Sequence, residues 1–92
     1  MELELRFFAT FRDAVGQKER THVVDDETTV GDVLATLERE YEGLDGQLLE
    51  DGELRDQLSV LKNGRDVVHA DGAETILDDG DVLSVFPPVA GG

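Results

Sequence analysis

A single amphipathic segment near the middle of the chain constrains the fold more than any other feature. Its apolar residues recur at intervals of three and four, on one side of a helix, and they are Val30, Val33, Leu34, Leu37 and Tyr41. Thr29 precedes the segment as a candidate N-cap with Asp32 three residues later, and Gly43 is placed to end the helix. Because the apolar stripe must be buried against another element, this helix is expected to pack on a sheet.

The segments on the N-terminal side of the helix predict two strands of that sheet. Residues 2–8 alternate between polar and apolar side chains, which is typical of a half-buried strand. The side chains of this strand that face the core are those of Leu3, Leu5 and Phe7. A short irregular stretch containing Phe11 and Val15 is closed by Gly16, and residues 21–24 then predict a second strand. We expect the two strands to form a hairpin.

Three more strands are predicted on the C-terminal side of the helix. Residues 58–62 and 65–69 are joined by Asn63-Gly64, a sequence typical of a tight type I′ turn. Another turn, at residues 78–81, precedes a last strand at 82–86, which ends where two prolines without an N–H group follow. A chain of 92 residues has room for one small core, so we predict one domain over residues 1–88 and a flexible tail over residues 89–92.

The charge of the chain limits its partners and its surroundings. A net charge of -14 repels phosphate backbones and anionic lipid headgroups, so neither nucleic acid nor a membrane surface is expected to bind. The same charge disfavours a compact state unless it is screened, and at about 1 M salt the Debye length falls to ~3 Å. We interpret the composition as an adaptation to a salty cytoplasm; the alternative is a merely acidic surface. The first residues lack the basic start and apolar run of a secretory signal, which favours a cytoplasmic location.

Side chains that commonly carry catalysis lack the required context. The absence of cysteine excludes a thiolate nucleophile and any cysteine-bound zinc or iron-sulfur cluster. Ser59 and Ser84 lie in the middle of predicted strands, outside any nucleophile-elbow pattern. His22 and His69 have no partner at the spacing of metal ligands. We therefore expect no catalytic site, no metal and no bound cofactor.

The last three residues, Ala90-Gly91-Gly92, suggest chemistry that takes place inside a partner. A diglycine end is narrow and adopts backbone angles closed to other residues, so it can thread into the slot of another enzyme. Extended, residues 89–92 span ~13 Å, enough to place the carboxylate of Gly92 in a partner's active site. The carboxylate becomes reactive only after activation, for instance as an acyl-adenylate formed with ATP, from which sulfur or an amine displaces AMP.

Two phenylalanines are predicted to lie on polar faces of their strands. In the last strand Leu83 and Val85 share one face, and the polar Ser84 on the other face indicates that Phe86 points outward. Phe8 follows the polar face of the first strand by the same period. If the first and last strands are neighbours, Phe8 and Phe86 form an exposed apolar patch at the base of the tail, the usual mark of an interface. The alternative is that each ring tucks under a loop.

Three segments of the chain, in their order and spacing, resemble the MoaD/ThiS family of ubiquitin-like proteins. They are residues 5–16 (LRFFATFRDAVG), residues 29–34 (TVGDVL) and residues 86–92 (FPPVAGG). With its acidic background, the chain is most similar to the small archaeal ubiquitin-like modifiers of halophiles. The resemblance implies an α+β protein with a β-grasp fold, in which a mixed sheet of four to five strands wraps one main helix.

The resemblance also implies a carrier and modifier without a catalytic site of its own. A ubiquitin-activating-type enzyme would adenylate Gly92 with ATP, and the product would become a thiocarboxylate or form an isopeptide bond with a lysine of a target protein. Phe86 and Phe8 match docking positions of the family, and Leu61 is expected to extend the docking patch. Gly91 and Ala90 would give the tail access to the partner.

The sequence leaves open alternatives to this function. The same tail would suit the small subunit of molybdopterin synthase, which delivers sulfur into the active site of its large subunit. A non-covalent β-grasp interaction module, with an incidental diglycine, is a third possibility. Lys18 and Lys62 are the two lysines of the chain and hence its candidate modified residues. Ala90 replaces the arginine-rich approach to the diglycine of ubiquitin, which argues against eukaryotic activating enzymes as partners.

Overall fold

The computed structural model describes residues 1–88, so the predicted tail, residues 89–92, lies outside the described residues. The helices and strands, in chain order, are β1 (Glu2–Phe7), α1 (Ala9–Val15), β2 (Glu19–Val23), α2 (Val30–Glu40), β3 (Leu49–Glu50), β4 (Glu53–Leu54), β5 (Ser59–Lys62), β6 (Arg65–Asp66) and β7 (Val82–Phe86). Short 3-10 turns cover Glu42–Leu44, Val67–His69 and Gly72–Glu74.

Five strands form one mixed sheet, as the sequence predicts. Their order across the sheet is β2-β1-β7-β5-β6, and β3 pairs with β4 in a separate small hairpin. The two central strands, β1 and β7, run parallel, whereas β2, β5 and β6 pair antiparallel with their neighbours. The parallel pairing brings the C-terminal end of β7 next to the point where β1 ends.

Helix α2 packs on the inner face of this sheet and forms the core with it. The fully buried side chains of the core include Leu3, Leu5, Phe7, Leu34, Leu37, Val60, Leu83 and Val85. The predicted N-cap is confirmed: Asp32 N–H donates to Thr29 Oγ1 at 3.1 Å, and Thr29 N–H donates to Asp32 Oδ2 at 3.1 Å. This reciprocal pair satisfies two N–H groups that the helix leaves without partners and contributes about 1 kcal/mol.

The prediction that Gly43 ends the helix is wrong. Helix α2 ends at Glu40, and Gly43 lies within the following 3-10 turn. A Cβ atom on Gly43 would lie 2.8 Å from the Cβ of Ala14, a separation too short for two carbon atoms. Gly43 is therefore required by the close approach of α1 to this turn, not by the geometry of the helix end.

The stretch predicted to be irregular, between the first two strands, is the helix α1. Phe11 is its buried residue, and Gly16 ends it with a φ of 84° while its N–H donates to the carbonyl of Arg12 at 2.8 Å. The antiparallel pairing of β1 with β2 is confirmed, but a helix and not an irregular stretch connects them. The helix of seven residues has a single buried side chain and so gives no helical period to detect.

The return strand predicted over residues 65–69 is shorter than expected. Asn63 and Gly64 have φ values of 51° and 84°, which agrees with the predicted turn. Of these five residues, Arg65 and Asp66 pair with β5; the carboxylate of Asp66 then accepts a hydrogen bond from Val68 N–H at 3.0 Å, and a 3-10 turn begins at Val67. The hairpin of β3 and β4 was not predicted.

Candidate functional site

The outer face of the sheet carries a stacked pair of aromatic rings where β1 and β7 end. The register that aligns Phe7 with Val85 places the next residues, Phe8 and Phe86, side by side. Their ring centroids lie 4.2 Å apart and the ring planes differ by 11°. Both side chains are half-buried. The predicted outward orientation of the rings is correct, but they are less exposed than the sequence suggested because each covers the other.

Leu61 lies on the same outer face of the sheet. It is aligned with Ser84 across the β5–β7 pair, while Ser59 is aligned with Phe86. Leu61 and Ser84 are both half-buried, whereas Val60, Leu83 and Val85, which alternate with them, are buried in the core. The structure thus brings Phe8, Phe86 and Leu61 to one face of three neighbouring strands, and we call these three residues the outer-face cluster. Their contact with a partner stays a prediction.

The predicted reacting end of the chain follows directly from this cluster in the sequence. Gly92, Gly91 and Ala90 lie outside the described residues. The last two described residues, Pro87 and Pro88, continue from the end of β7, and Pro88 is exposed. The chain therefore leaves the sheet beside Phe86, at the surface.

The two lysines have different surroundings. Lys18 is exposed, and its carbonyl accepts the N–H of Phe7 at 2.9 Å, which places it at the same end of the sheet as the outer-face cluster. Lys62 is half-buried and its ammonium donates to the carbonyl of Ile76 at 3.1 Å. The same ammonium lies 3.6 Å from the carboxylate of Asp81. Lys18 therefore offers the more accessible amine.

Asp81 joins the turn before β7 to the turn between β5 and β6. Its carboxylate accepts the N–H of Asp78 at 2.7 Å and the side-chain amide of Asn63 at 2.9 Å. Burial alone would raise the pKa of Asp81, but the hydrogen bonds from Asp78 and Asn63, together with the charge of Lys62, lower it below its usual value. Asp81 thus stays ionised and anchors the start of β7, the strand that leads to Phe86.

A second polar cluster fastens the edge strand β2 to the end of α2. The guanidinium of Arg20 donates to Glu40 at 2.7 Å and to the hydroxyl of Tyr41 at 2.6 Å. His22 is 9% exposed, and its Nδ1 lies 3.4 Å from the guanidinium of Arg20. Burial, and then the charge of Arg20, lower the pKa of His22. The hydrogen bond from Arg20 lowers the pKa of Glu40. This cluster stabilises the fold and was not predicted from the sequence.

The other residues considered for catalysis or metal binding are scattered. His69 lies exposed in a 3-10 turn, and Ser59 and Ser84 lie on the outer sheet face. No group of three or more His, Cys, Asp or Glu side chains arranged to hold a metal ion occurs within residues 1–88. In the same range, none of the helices combines the length and the apolar character needed to cross a membrane.

Comparison with known proteins identifies relatives along the whole chain. The ThiS family matches residues 5–92. Small archaeal modifier protein 3 of Haloferax volcanii is 68% identical over 92 residues, which cover 100% of both chains. The sulfur carrier protein CysO of Mycobacterium tuberculosis is 34% identical over 67 residues, covering 70% of this chain and 72% of CysO. The crystal structure of small archaeal modifier protein 1 (SAMP1) from Haloferax volcanii matches with a TM-score of 0.82 and 33% identity, covering 100% of both chains.

These findings confirm both the resemblance and the fold that the sequence predicts. The matched region, residues 5–92, includes all three segments that carry the resemblance. The five-stranded mixed sheet around α2 is shared with ubiquitin-like structures of the same family. The chain belongs to the ThiS family of ubiquitin-like proteins and has their β-grasp fold.

Proposed function

We propose that this chain is a ubiquitin-like modifier and sulfur carrier whose reacting group is the carboxylate of Gly92. Membership of the ThiS family supports the proposal, as do relatives that are named a small archaeal modifier protein and a sulfur carrier protein. The observation that carries it is the stacked Phe8–Phe86 pair, which places an aromatic anchor beside the point where the tail leaves the sheet. A partner that binds the Phe8–Phe86 pair is thereby placed where it can also bind the tail.

The proposed chemistry takes place in an activating enzyme of the ubiquitin-activating type. A carboxylate oxygen of Gly92 attacks the α-phosphorus of ATP, pyrophosphate leaves, and an acyl-adenylate forms. A lysine amine of a target protein then attacks the acyl carbon, expels AMP and forms an isopeptide bond. Alternatively, hydrosulfide attacks the acyl carbon and expels AMP, and the thioacid that forms loses its proton to give a thiocarboxylate. The activating enzyme binds and consumes the ATP, and this chain contributes the carboxylate and its delivery.

Docking is the part of this function that the described residues support. Aromatic side chains dominate the binding energy of many interfaces because they bury a large area with few rotatable bonds. Phe8 and Phe86 meet that description, since each ring is already fixed by the other on a rigid sheet. Leu61 extends the apolar surface across β5. Ala90 and Gly91 would then enter the narrow channel to the nucleotide.

The chain itself is also a candidate target through its lysines. An acceptor lysine must present a free amine to the acyl-adenylate. Lys18 is exposed, whereas the ammonium of Lys62 contacts Ile76 and Asp81. We therefore expect Lys18 to be modified before Lys62 if copies of this chain are joined to one another.

A second candidate function is that of the small subunit of molybdopterin synthase. The similarity to a sulfur carrier favours it, because that role needs the same thiocarboxylate at Gly92, delivered to the large subunit. Both roles are compatible with one chain in a salt-rich cytoplasm, the setting that we propose from its net charge of -14. The third hypothesis, a non-covalent interaction module, predicts that the chain binds a partner without activation of Gly92.

One experiment tests the proposal against that module. The chain is mixed with the activating enzyme of its own cell, and ATP–pyrophosphate exchange is measured as a function of chain concentration. Exchange that depends on the chain supports adenylation, whereas binding without exchange contradicts it. Intact-mass analysis and lysine-linkage mapping of protein isolated from the cell then separate thiocarboxylate formation from conjugation.

A further inference from the structure

Ala9 has an unusual backbone conformation for its residue type. Five non-glycine residues within residues 1–88 have a positive φ, and they are Ala9 at 53°, Glu27 at 67°, Asp51 at 53°, Gln57 at 69° and Asn63 at 51°. The other four are polar residues in loops and turns, whereas Ala9 is apolar and opens a helix. It also directly follows Phe8, one half of the stacked pair.

The left-handed region is unfavourable for alanine because its Cβ approaches the neighbouring carbonyl oxygen. Asparagine and aspartate tolerate this region better, since their side chains can form local hydrogen bonds, and alanine has no such side chain. Strained backbone of this kind persists where the surrounding structure demands it, and it is concentrated at functional sites. The residues around Ala9 show why the structure requires this left-handed conformation.

Ala9 reverses the chain between two side chains that must enter the core. Phe7 is the last buried residue of β1, and Phe11 is the buried residue of α1. Phe8, which lies between Phe7 and Ala9, keeps an extended backbone with φ −130° and ψ 151°. Its carbonyl accepts the N–H of Phe11 at 3.1 Å. One left-handed residue thus starts the helix immediately and leaves Phe8 in strand register beside Phe86.

We propose that Ala9 is a positioning residue for the docking surface: its left-handed backbone holds the ring of Phe8 in the stack with Phe86. The inference rests on the proposed function, because docking through these rings is part of that function. Glycine reaches this φ without strain and asparagine tolerates it, whereas a β-branched residue is disfavoured there more strongly than alanine. The left-handed backbone, and not the alanine side chain, fixes the position in which the ring of Phe8 is presented to the partner.

The substitution Ala9→Val tests the proposal. A β-branched side chain disfavours the left-handed region more strongly than alanine does, so the backbone is expected to shift and the ring of Phe8 to leave the stack. Affinity for the activating enzyme is expected to fall about five-fold, and the ring-current shifts of the Phe8 and Phe86 protons in NMR spectra are expected to diminish. Ala9→Gly and Ala9→Asn, which keep the left-handed conformation, should retain both the affinity and the ring-current shifts.

Glu27 supplies a matched control for this experiment. Its φ of 67° is also left-handed, and it follows β2 at the end of the sheet opposite to Phe8. Glu27→Val, compared with Glu27→Gln to match the charge, should leave affinity unchanged. If Ala9→Val alters only the melting temperature, Ala9 has a merely structural role and the inference is overturned. A loss of affinity in Phe86→Ala but not in Ala9→Val also overturns it, whereas unchanged affinity in Phe86→Ala contradicts the docking step of the proposed function instead.

Discussion

Phe8 and Phe86 stack at a centroid distance of 4.2 Å because the first and last strands of the chain are parallel neighbours. Neither ring belongs to the core, and neither is freely exposed. Aromatic pairs of this kind contribute about 0.5–1.5 kcal/mol beyond the area that they bury. Each ring therefore depends on the other for its position, and a change to one is expected to alter the surface that the other presents.

Truncation of one ring should separate docking from folding. We expect Phe86→Ala to weaken association with the activating enzyme by about 2 kcal/mol or more, as for an aromatic hot spot. The domain should still fold, since the half-buried ring lies outside the core and its loss removes mainly the stack. Titration calorimetry measures the association, and the melting temperature measures the fold.

The control for this substitution is Val23→Ala. Val23 is 73% exposed on the edge strand β2, so its truncation removes an apolar side chain from a different part of the surface. Association should remain within error of the unmodified chain. If Phe86→Ala unfolds the domain, or if both substitutions weaken association equally, the outer-face cluster is not the docking anchor.

Stability should increase with salt concentration. The chain carries 22 acidic and eight basic side chains, and most of this charge lies on the surface of a small domain. Screening reduces the repulsion among carboxylates and leaves the buried apolar contacts intact. Surface ion pairs such as Arg6–Glu4, at 2.7 Å, weaken in salt but contribute little. A melting temperature that stays flat from dilute buffer to molar KCl would contradict the halophilic interpretation.

The buried His22 should make stability depend on pH near neutrality. Burial and the charge of Arg20 lower its pKa in the folded state, whereas in the unfolded chain the pKa is about 6.5. Below that value the unfolded state binds more protons than the folded state, so stability is full above about pH 6.5 and decreases as pH falls through the lowered pKa. Urea unfolding at about pH 7.5 and 5.5, in constant molar KCl, measures the effect.

His22→Gln provides the comparison, because glutamine is polar and does not titrate. The variant should be somewhat less stable than the unmodified chain at the higher pH, and it should lose less stability between the two pH values. Equal losses in both proteins would show that carboxylates, and not His22, determine the dependence.

The sequence predicts those elements whose signal is local and repeated. Helix α2 has an apolar stripe of three turns and a capping pair at Thr29, and β7 alternates and then meets two prolines. Helix α1 is missed because seven residues with one buried side chain show no period. The role of Gly43 is missed because it depends on contact with Ala14, which is distant in the sequence.

In the candidate site, too, the sequence predicts local features and misses those that depend on contacts between distant residues. Strand alternation predicts that Phe8 and Phe86 point away from the core, and strand order then brings them together. Their mutual burial arises from packing between β1, α1 and β7, which the sequence does not show. The left-handed backbone of Ala9 is missed because alanine is not a residue type that indicates a positive φ. The contact of Arg20 with Tyr41 likewise joins elements that only the fold brings close.

Deletion of Gly91 and Gly92 should separate docking from chemistry. Gly92 supplies the carboxylate that we propose to be adenylated, and the deletion shortens the tail by ~7 Å and leaves Ala90, whose Cβ restricts entry, at its end. The domain and the outer-face cluster are untouched, so melting temperature and association through the phenylalanines should persist. With ATP and the activating enzyme, the deletion variant should give no pyrophosphate exchange, no thiocarboxylate and no conjugates, whereas the full chain gives exchange and at least one of the two products. Equal yields from both proteins would place the reacting group somewhere other than Gly92.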